Sequence, residues 1–354
     1  MPRYGFCVVR PELPEADVQA LQEVLTAHDV TDAELELLAG DGSNRRYVRV
    51  RSSRPMVAMV LDKSTTPAEA GGEADVGATF CRVQRWLADG ALPVPDVFAY
   101  DRGRGIVLLE DLGDCWLTAL SSDSRAEAYR QAISDLVQFQ CLDLATCPLV
   151  GQRRYNASLW HWEWMHFVEY GIEVREGLSL PAAVRARAEA ALRGGAARLA
   201  ALPCVPVHRD YHARNLLVDK AGRVRWIDFQ DALAGPAVYD VASLLFDAYV
   251  ELDAAFRCML WREYCEQART AGVPGVEKST FLLAAVHRML KAAGRFVYFE
   301  RQGKPQYMQY VPTLLRRVAE LVREDAFDAD VRAGLAHLSP YVPEWRGVQA
   351  FQNQ

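Results

Sequence analysis

One stretch constrains the fold more than any other: "VPVHRDYHARNLLVDKAGRVRWIDFQDA", from Val205 to Ala232. Two short apolar runs, "NLLVD" and "VRWID", flank the glycine-containing turn "KAGR", and this spacing predicts a β-hairpin. "VPVHRD" reads as a further apolar strand that ends in a charged loop. Asp210 and Asn215 fall on the loop entering the hairpin, and Asp228 falls at its far end. A hairpin brings its two ends together, so the pattern predicts that the three polar side chains converge.

Two carboxylates and an amide meeting at one point suit phosphoryl transfer from a nucleotide. One carboxylate orients the attacking hydroxyl and accepts its proton, while the amide and the second carboxylate hold magnesium against the phosphates. The spacing Asp-x-x-x-x-Asn from Asp210 to Asn215, with Asp228 thirteen residues later, matches a kinase catalytic loop and its metal-binding aspartate. Any one of these residues alone is an ordinary turn residue. It is the set, preceded by His208, that carries the chemistry.

Around this stretch the pattern changes once along the chain. A leading arm holds one amphipathic helix, "EADVQALQEVLTAHDV". Next, "ELELLAGDGSNRRYVRVRSSRPMVAMVLDK" predicts a three-stranded meander, and "GEADVGATFCRVQRWLAD" a helix with Val76, Phe80, Val83 and Leu87 on one face. Two strands around the "DRGRG" turn follow, leading to a hydrophobic hinge near Leu109 to Leu112. Beyond Trp116 the pattern is helical, in "SRAEAYRQAISDLVQFQCL", the aromatic "LWHWEWMHFVEYGIEV", and "PAAVRARAEAALRGGAARLAAL" with proline in its first turn. "YDVASLLFDAYVEL" and "FLLAAVHRMLKAAGRFVYFER" are further helix candidates. A mostly β lobe over residues 1–112 and a mostly α lobe over residues 113–354 are expected.

At 354 residues, half of them apolar, the chain buries a full core without a disulfide or a structural metal. A net charge of −6 gives no bulk argument for nucleic acid or an anionic membrane. The tightest basic group, Arg45, Arg46, Arg49 and Arg51, alternates with apolar residues as a strand does, which fits a local phosphate site better than a polybasic surface. Eight cysteines form no CxxC pair and match no zinc or disulfide pattern, so buried free thiols in a reducing compartment are expected. The opening residues lack an apolar core of signal-peptide length, and no apolar run approaches the ~20 residues of a membrane span. The expected home is the cytoplasm.

With these residues placed, the chain resembles the aminoglycoside phosphotransferase/choline kinase superfamily from about Leu37 to Pro312, and within it the bacterial N-acetylmuramate/N-acetylglucosamine anomeric kinases. "RRYVR", "LPVP", "LLEDLGD", "VHRDYHARNLL", "DFQDALAGPAVYDVASLLFDAYV" and "GKPQYMQYVP" carry the resemblance. It implies an α+β, two-lobed protein-kinase-like fold, with ATP and Mg2+ as cofactors. It makes Asp210 the catalytic base and Asn215 and Asp228 the magnesium ligands. His208 would brace the catalytic loop, and Asp240 would fix that loop from the following helix. "GDGSNRRY" sits where a phosphate-covering loop belongs, with main-chain groups of Gly42 and Ser43 on the phosphates. Main-chain groups of Glu110 and Leu112 would meet the adenine edge.

One departure stands out. The third-strand lysine of protein kinases has no equivalent: Met59 or Val60 occupies its place, and Lys63 follows too late. Arg46 or Arg49, one strand earlier, is the candidate replacement for its charge, against the plainer reading of solvated strand arginines. Glu73 and Asp75 are the candidates for its helix partner, although either serves equally as a helix-start charge.

For the acceptor, Trp160 and Glu163 stand in "RYNASLWHWEWMHFVEYG", where aromatics beside carboxylates suit a sugar, although such a stripe is more often core. The His161, Glu163 and His166 group lacks the i, i+4 histidine pair of a helical zinc site. Arg209, Arg214, Gln230 and Asp231 flank the catalytic groups and are candidate substrate contacts. Lys291, Arg295 and Tyr307 offer cations and an aromatic for a sugar carboxylate, or simply a basic helix face. The leading expectation is an amino-sugar kinase acting at the anomeric hydroxyl in cell-wall recycling, with a sugar and a nucleotide as its partners. The alternatives are a kinase of another hydroxylated metabolite (aminoglycoside, choline-like amine or other sugar) and a nucleotide-binding regulatory pseudokinase.

Overall fold

The computed structural model describes residues 13–38, 45–61 and 75–351. The chain forms two compact units, Met1–Asp114 and Cys115–Gln354.

The first unit contains α1 (Glu15–Ala27), β1 (Glu34–Leu38), β2 (Arg46–Arg51), β3 (Met56–Val60), α2 (Val76–Asp89), β4 (Val97–Asp101) and β5 (Ile106–Glu110). Its strands pair antiparallel in the order β1-β2-β3-β5-β4. Side chains alternate along a strand, so Val48 and Val50 of β2 join Met56, Ala58, Val60, Ile106 and Leu108 against Leu21, Val24 and Leu25 of α1. Arg49 projects from the other face of β2 and is nonetheless buried. Met59 and Val60 are also buried, so β3 presents no cation at the position of the kinase lysine. Asp75 is the N-cap of α2, accepting from Ala78 N at 2.8 Å, which accounts for its carboxylate as a helix-start charge. Glu73, Lys63, Gly42 and Ser43 lie outside the described residues.

The second unit begins with α3 (Ser122–Gln140), α4 (Pro148–Gln152) and α5 (Ala157–His166), which runs on as a π-helical stretch, Phe167–Val174. Then follow α6 (Ala182–Ala200), β6 (Cys204–Val207), β7 (Leu216–Val218), β8 (Val224–Trp226), β9 (Leu233–Pro236) and α7 (Val238–Leu245). The unit closes with α8 (Ala254–Ala271), α9 (Lys278–Arg301), α10 (Val311–Leu321) and α11 (Ala329–Leu338).

The predicted hairpin is β7–β8, with Leu216 opposite Trp226. Its turn needs Gly222, at φ +80°, and is tied by Asp219 Oδ1, which accepts from Ala221 N at 2.9 Å and Arg223 N at 3.0 Å. β6 pairs with β9, a four-residue strand that apolar spacing does not reveal.

Pro181 proves to be the N-cap of α6, not a first-turn residue. Helices α8, α10 and α11 emerge only in the structure. The expectation of buried thiols is corrected: Cys147 is buried, but Cys115, Cys141 and Cys258 are exposed. A thiol is small and weakly polar, so it is tolerated at the surface as well as in the core. Among the described residues, no helix is long and apolar enough to cross a membrane.

Candidate active site

The loop from His208 to Asn215 joins β6 to β7, and two buried carboxylates hold its main chain. Asp240, in the first turn of α7, accepts from His208 N at 2.6 Å and from Arg209 N at 3.0 Å. Arg209 needs that support, because its φ of +79° lies in the left-handed region, where a non-glycine residue costs about 1–3 kcal/mol. Burial pushes the Asp240 carboxyl up to about 7, against the lowering effect of these two N–H groups. From the other side, Asp247 accepts from Ala213 N and Tyr249 N, each at 2.8 Å. Its carboxylate is therefore committed to main chain.

His208 is buried, and burial lowers its pKa to about 4, so the ring is neutral at pH 7. Nε2 lies 3.1 Å from Ile227 O. Since a carbonyl only accepts, Nε2 carries the proton in this contact. His208 thus ties the loop to the strand leading to Asp228, with its ring proton engaged by Ile227 O.

The hairpin brings the expected residues to one end. Ile227 N donates to Asn215 O at 3.0 Å, which places Asp228 one residue beyond the rung that contains Asn215. Asp228 is itself left-handed, at φ +61°, and Gln230 Nε2 donates to its Oδ1 at 2.7 Å. Asn215 Nδ2 donates to Asp210 O at 2.8 Å, leaving Oδ1 as the atom it can offer a cation. One amide oxygen and one carboxylate are hard donors of the kind magnesium takes when phosphates complete its shell. The residues present fit that ion.

Asp210 is 39% exposed at its side chain, so a substrate hydroxyl can reach it. Desolvation raises its pKa, but the charges of Lys291, Arg288 and Arg209 outweigh that and hold it well below the usual carboxylate range. Arg288 of α9 places Nη2 3.6 Å from Asp210 Oδ1, while its Nε donates to Ser243 Oγ at 3.1 Å. Lys291, one turn on, reaches Glu163 Oε1 at 2.9 Å and Tyr239 OH at 3.1 Å. Glu163 is 1% exposed and also receives Arg209 Nη2 at 3.3 Å and the Tyr155 hydroxyl. Burial pushes its carboxyl up, but the adjacent Lys291, with Arg209 and the Tyr155 hydroxyl, holds it at about 2.

Several expectations change here. Trp160 is fully buried, stacked on Tyr155 with ring centroids 3.9 Å apart, and its Nε1 donates to Tyr155 O at 2.8 Å. It is a core residue that no substrate touches. Glu163, expected on the substrate, is instead the buried counter-ion of Lys291 and Arg209. Arg46 pairs with Asp17 at 2.5 Å. Arg49 forks onto Asp114 at 2.7 and 2.8 Å and pairs through Nε with Asp111 at 2.8 Å. Both guanidiniums expected to replace the third-strand lysine are thus bound to carboxylates.

Glu110 N is committed to Asp96 O at 2.9 Å, and Leu112 is half-buried two residues on. Gln230 is buried and Asp231 exposed beside Asp228. Arg214 stacks on Tyr249 with its guanidinium carbon 3.9 Å from the ring centroid, and Nη2 donates to Tyr310 OH at 3.1 Å. Arg295 is exposed against Tyr298 and Phe299, while Tyr307 is buried.

Arg288 and Ser243 were not among the expected site residues. The available signal was "VHRMLKAAG", where two cations three residues apart interrupt a helix face that is otherwise apolar.

A model of the phosphotransferase enzyme family matches residues 34–274, from β1 past the His208–Asn215 loop to just beyond α8. The chain belongs to this family. Among curated relatives of this phosphotransferase, the N-acetylmuramate/N-acetylglucosamine kinase of Neisseria meningitidis serogroup B is 31% identical over 325 residues, covering 88% of this chain and 93% of the relative. The protein of that name from Pseudomonas aeruginosa is also 31% identical, covering 81% and 83%. Two solved structures show the kinase-like fold. Choline kinase LicA from Streptococcus pneumoniae matches with TM-score 0.59 at 14% identity, covering 86% of this chain and 99% of that one. ADP-bound aminoglycoside phosphotransferase APH(2'')-Ib matches with TM-score 0.58 at 17% identity, covering 87% and 99%.

Proposed function

We propose that this phosphotransferase is an ATP- and magnesium-dependent kinase of N-acetylmuramate and N-acetylglucosamine, acting at the anomeric hydroxyl in cytoplasmic recycling of cell-wall sugars. The observation that carries the reading is Asp210, an ionised and accessible carboxylate on the loop that also bears Asn215 and faces Asp228 across the hairpin. The relatives' names, at 31% identity over most of the chain, supply the substrate class. The charges beside Asp210 argue the same way. Arg209, Arg288 and Lys291 disfavour a cationic aminoglycoside or choline-like acceptor and tolerate a neutral or carboxylate-bearing sugar.

In this reading Asp210 accepts a hydrogen bond from the acceptor hydroxyl and takes its proton. A strongly acidic carboxyl is a weak base, so the proton moves late, once the forming oxygen–phosphorus bond has acidified the hydroxyl. An anomeric hydroxyl is more acidic than an ordinary alcohol, which eases that transfer. Magnesium held by Asn215 and Asp228 would neutralise charge on the nucleotide phosphates. Gln230 holds the Asp228 carboxylate through Oδ1, and the Glu110 carbonyl with the main chain of Leu112 would meet the adenine edge, since Glu110 N is taken by Asp96 O.

The test is ADP release from magnesium-ATP with N-acetylmuramate, N-acetylglucosamine, glucose, choline and kanamycin. Turnover is expected with the two N-acetylated sugars and should fall by about 10²–10⁴-fold in Asp210→Asn. Product NMR fixes the phosphorylated position. An enzyme that turns over kanamycin or choline and neither amino sugar would overturn the substrate assignment.

A further inference from the structure

Helix α9 lies wholly beyond residues 34–274, the part of the chain that the family model matches. It nonetheless delivers a guanidinium to the catalytic carboxylate, and three contacts fix where that group stands. Gly294 brings α9 against the main chain of Phe167, so closely that a Cβ at 294 would be 2.8 Å from Phe167 Cα. One turn earlier, Lys291 is locked to Glu163 at 2.9 Å. Three residues before that, on the same face, Arg288 donates through Nε to Ser243 Oγ at 3.1 Å.

The guanidinium is planar, so anchoring Nε also sets the direction of its Nη edge. That edge faces Asp210: Nη2 is 3.6 Å from Oδ1, beyond hydrogen-bond reach. The Asp210 carboxylate therefore keeps its lone pairs for a substrate hydroxyl, with a cation at its side. Arg288 is 13% exposed and Asp210 39%, so both border space that a substrate can enter.

Phosphoryl transfer places further demands on that space. A hydroxyl bonded to Asp210 must approach phosphorus to about 3–3.5 Å. The equatorial oxygens of the moving phosphoryl group then lie within the span of a guanidinium from Asp210, and they carry the charge that catalysis must stabilise. The usual cation is missing from β3, while Arg46 and Arg49 are bound to Asp17 and to Asp111 with Asp114. Lys291 is committed to Glu163 and Tyr239.

We propose that Arg288 is a catalytic residue: its Nη edge binds an equatorial oxygen of the phosphoryl group as that group passes from ATP to the acceptor. The acceptor oxygen bonds to the γ-phosphorus, the bond from that phosphorus to the bridging oxygen breaks, ADP leaves, and the hydroxyl proton goes to Asp210. Arg288 donates hydrogen bonds throughout and exchanges no proton. The inference rests on the phosphotransferase reading, not on which sugar is the acceptor.

Arg288→Ala and Arg288→Lys test it, with magnesium-ATP turnover measured with N-acetylmuramate, with N-acetylglucosamine, and with water alone as acceptor. Arg288→Ala should lose about 10²–10³-fold in kcat, equally for both sugars and with little change in either sugar's KM. Added guanidinium should restore part of the lost kcat, and Arg288→Lys should lie between Ala and wild type. A loss confined to the KM of the carboxylate-bearing sugar would overturn the proposal in favour of acceptor recognition. So would a kcat within threefold of wild type, or a loss in a folded variant that neither guanidinium nor lysine repairs. If wild type ignores both sugars, the substrate assignment fails, and guanidinium rescue of ATP hydrolysis still decides the role of Arg288. Thermal melting of Arg288→Ala and Arg288→Lys confirms that the compared proteins are folded.

Discussion

Glu163 Oε1 lies 2.9 Å from Lys291 Nζ, and this buried pair ties α5 to α9. Glu163 has no access to solvent and belongs to a segment whose aromatics are core. Its carboxylate therefore meets Lys291 and Arg209 rather than solvent.

Removing one partner of such a pair leaves the other charge buried alone. Glu163→Gln and Lys291→Met should each cost about 3–5 kcal/mol, and the double variant should recover much of that loss. Urea unfolding of the four proteins measures the coupling. The pair also sets an acid limit. Glu163 is held at about 2 against an ordinary 4.5, so the folded state binds fewer protons than the unfolded chain between those values. Its contribution is fully present above pH 4.5 and is lost as pH falls towards 2. Glu163→Gln should flatten stability across that window, and an unchanged slope would exclude this assignment.

Asp240 predicts the opposite slope. Burial raises it from 3.8 to about 7, so between those values the folded state holds the extra proton and stability falls as pH rises. Asp240→Asn should abolish that slope. The amide also turns one N–H towards a main-chain donor, His208 N or Arg209 N, at a cost of about 1–3 kcal/mol. Loosening the left-handed Arg209 displaces Asp210, so kcat should fall about tenfold or more, because misplacement by an ångström is enough for such losses. Stopped-time assays on the folded variant measure it.

The hairpin was legible because the contacts that make it are local: Asn215 and Ile227 are joined by one rung across a short turn. The helices with clean apolar spacing were legible for the same reason. What was hidden depends on partners far apart in the chain. Trp160 looks alike whether its helix face meets a sugar or Tyr155, and only packing decides. Arg46 and Arg49 read as phosphate cations until α1 and the segment after β5 present carboxylates to them. Arg288 reaches Asp210 because Gly294 and Lys291 fix α9 against α5 and its π-helical extension, which no periodicity encodes.

The two arginines of β2 should differ sharply on substitution. Arg49 is 8% exposed and makes a fork onto Asp114 as well as a pair with Asp111, geometry that lysine cannot reproduce. Arg49→Lys should cost about 2 kcal/mol or more. Arg46, 35% exposed beside Asp17, makes a surface pair worth about 0–1 kcal/mol, and Arg46→Lys should be close to neutral. Thermal melting compares them, and equal losses would contradict the assigned burial of Arg49.

Gly294→Ala separates packing from helix propensity. Alanine favours an α-helix over glycine by about 1 kcal/mol. Gly194 on α6 shows that gain alone, since a Cβ there meets only the guanidinium of Arg198, no nearer than 3.5 Å. Gly194→Ala should stabilise the protein by about 1 kcal/mol and leave kcat unchanged. At Gly294 the new Cβ would meet Phe167 Cα at 2.8 Å and His166 O at 3.1 Å, main-chain atoms that cannot rotate away. Overpacking of this kind costs about 1–3 kcal/mol, so the net change in stability should be small or unfavourable. Activity is the sharper readout. To relieve the contact α9 must shift from α5, carrying Arg288 from Asp210 and Lys291 from Glu163. Gly294→Ala should therefore lower kcat far more than its melting temperature suggests. Full activity in that variant would show that the position of α9 does not govern Asp210.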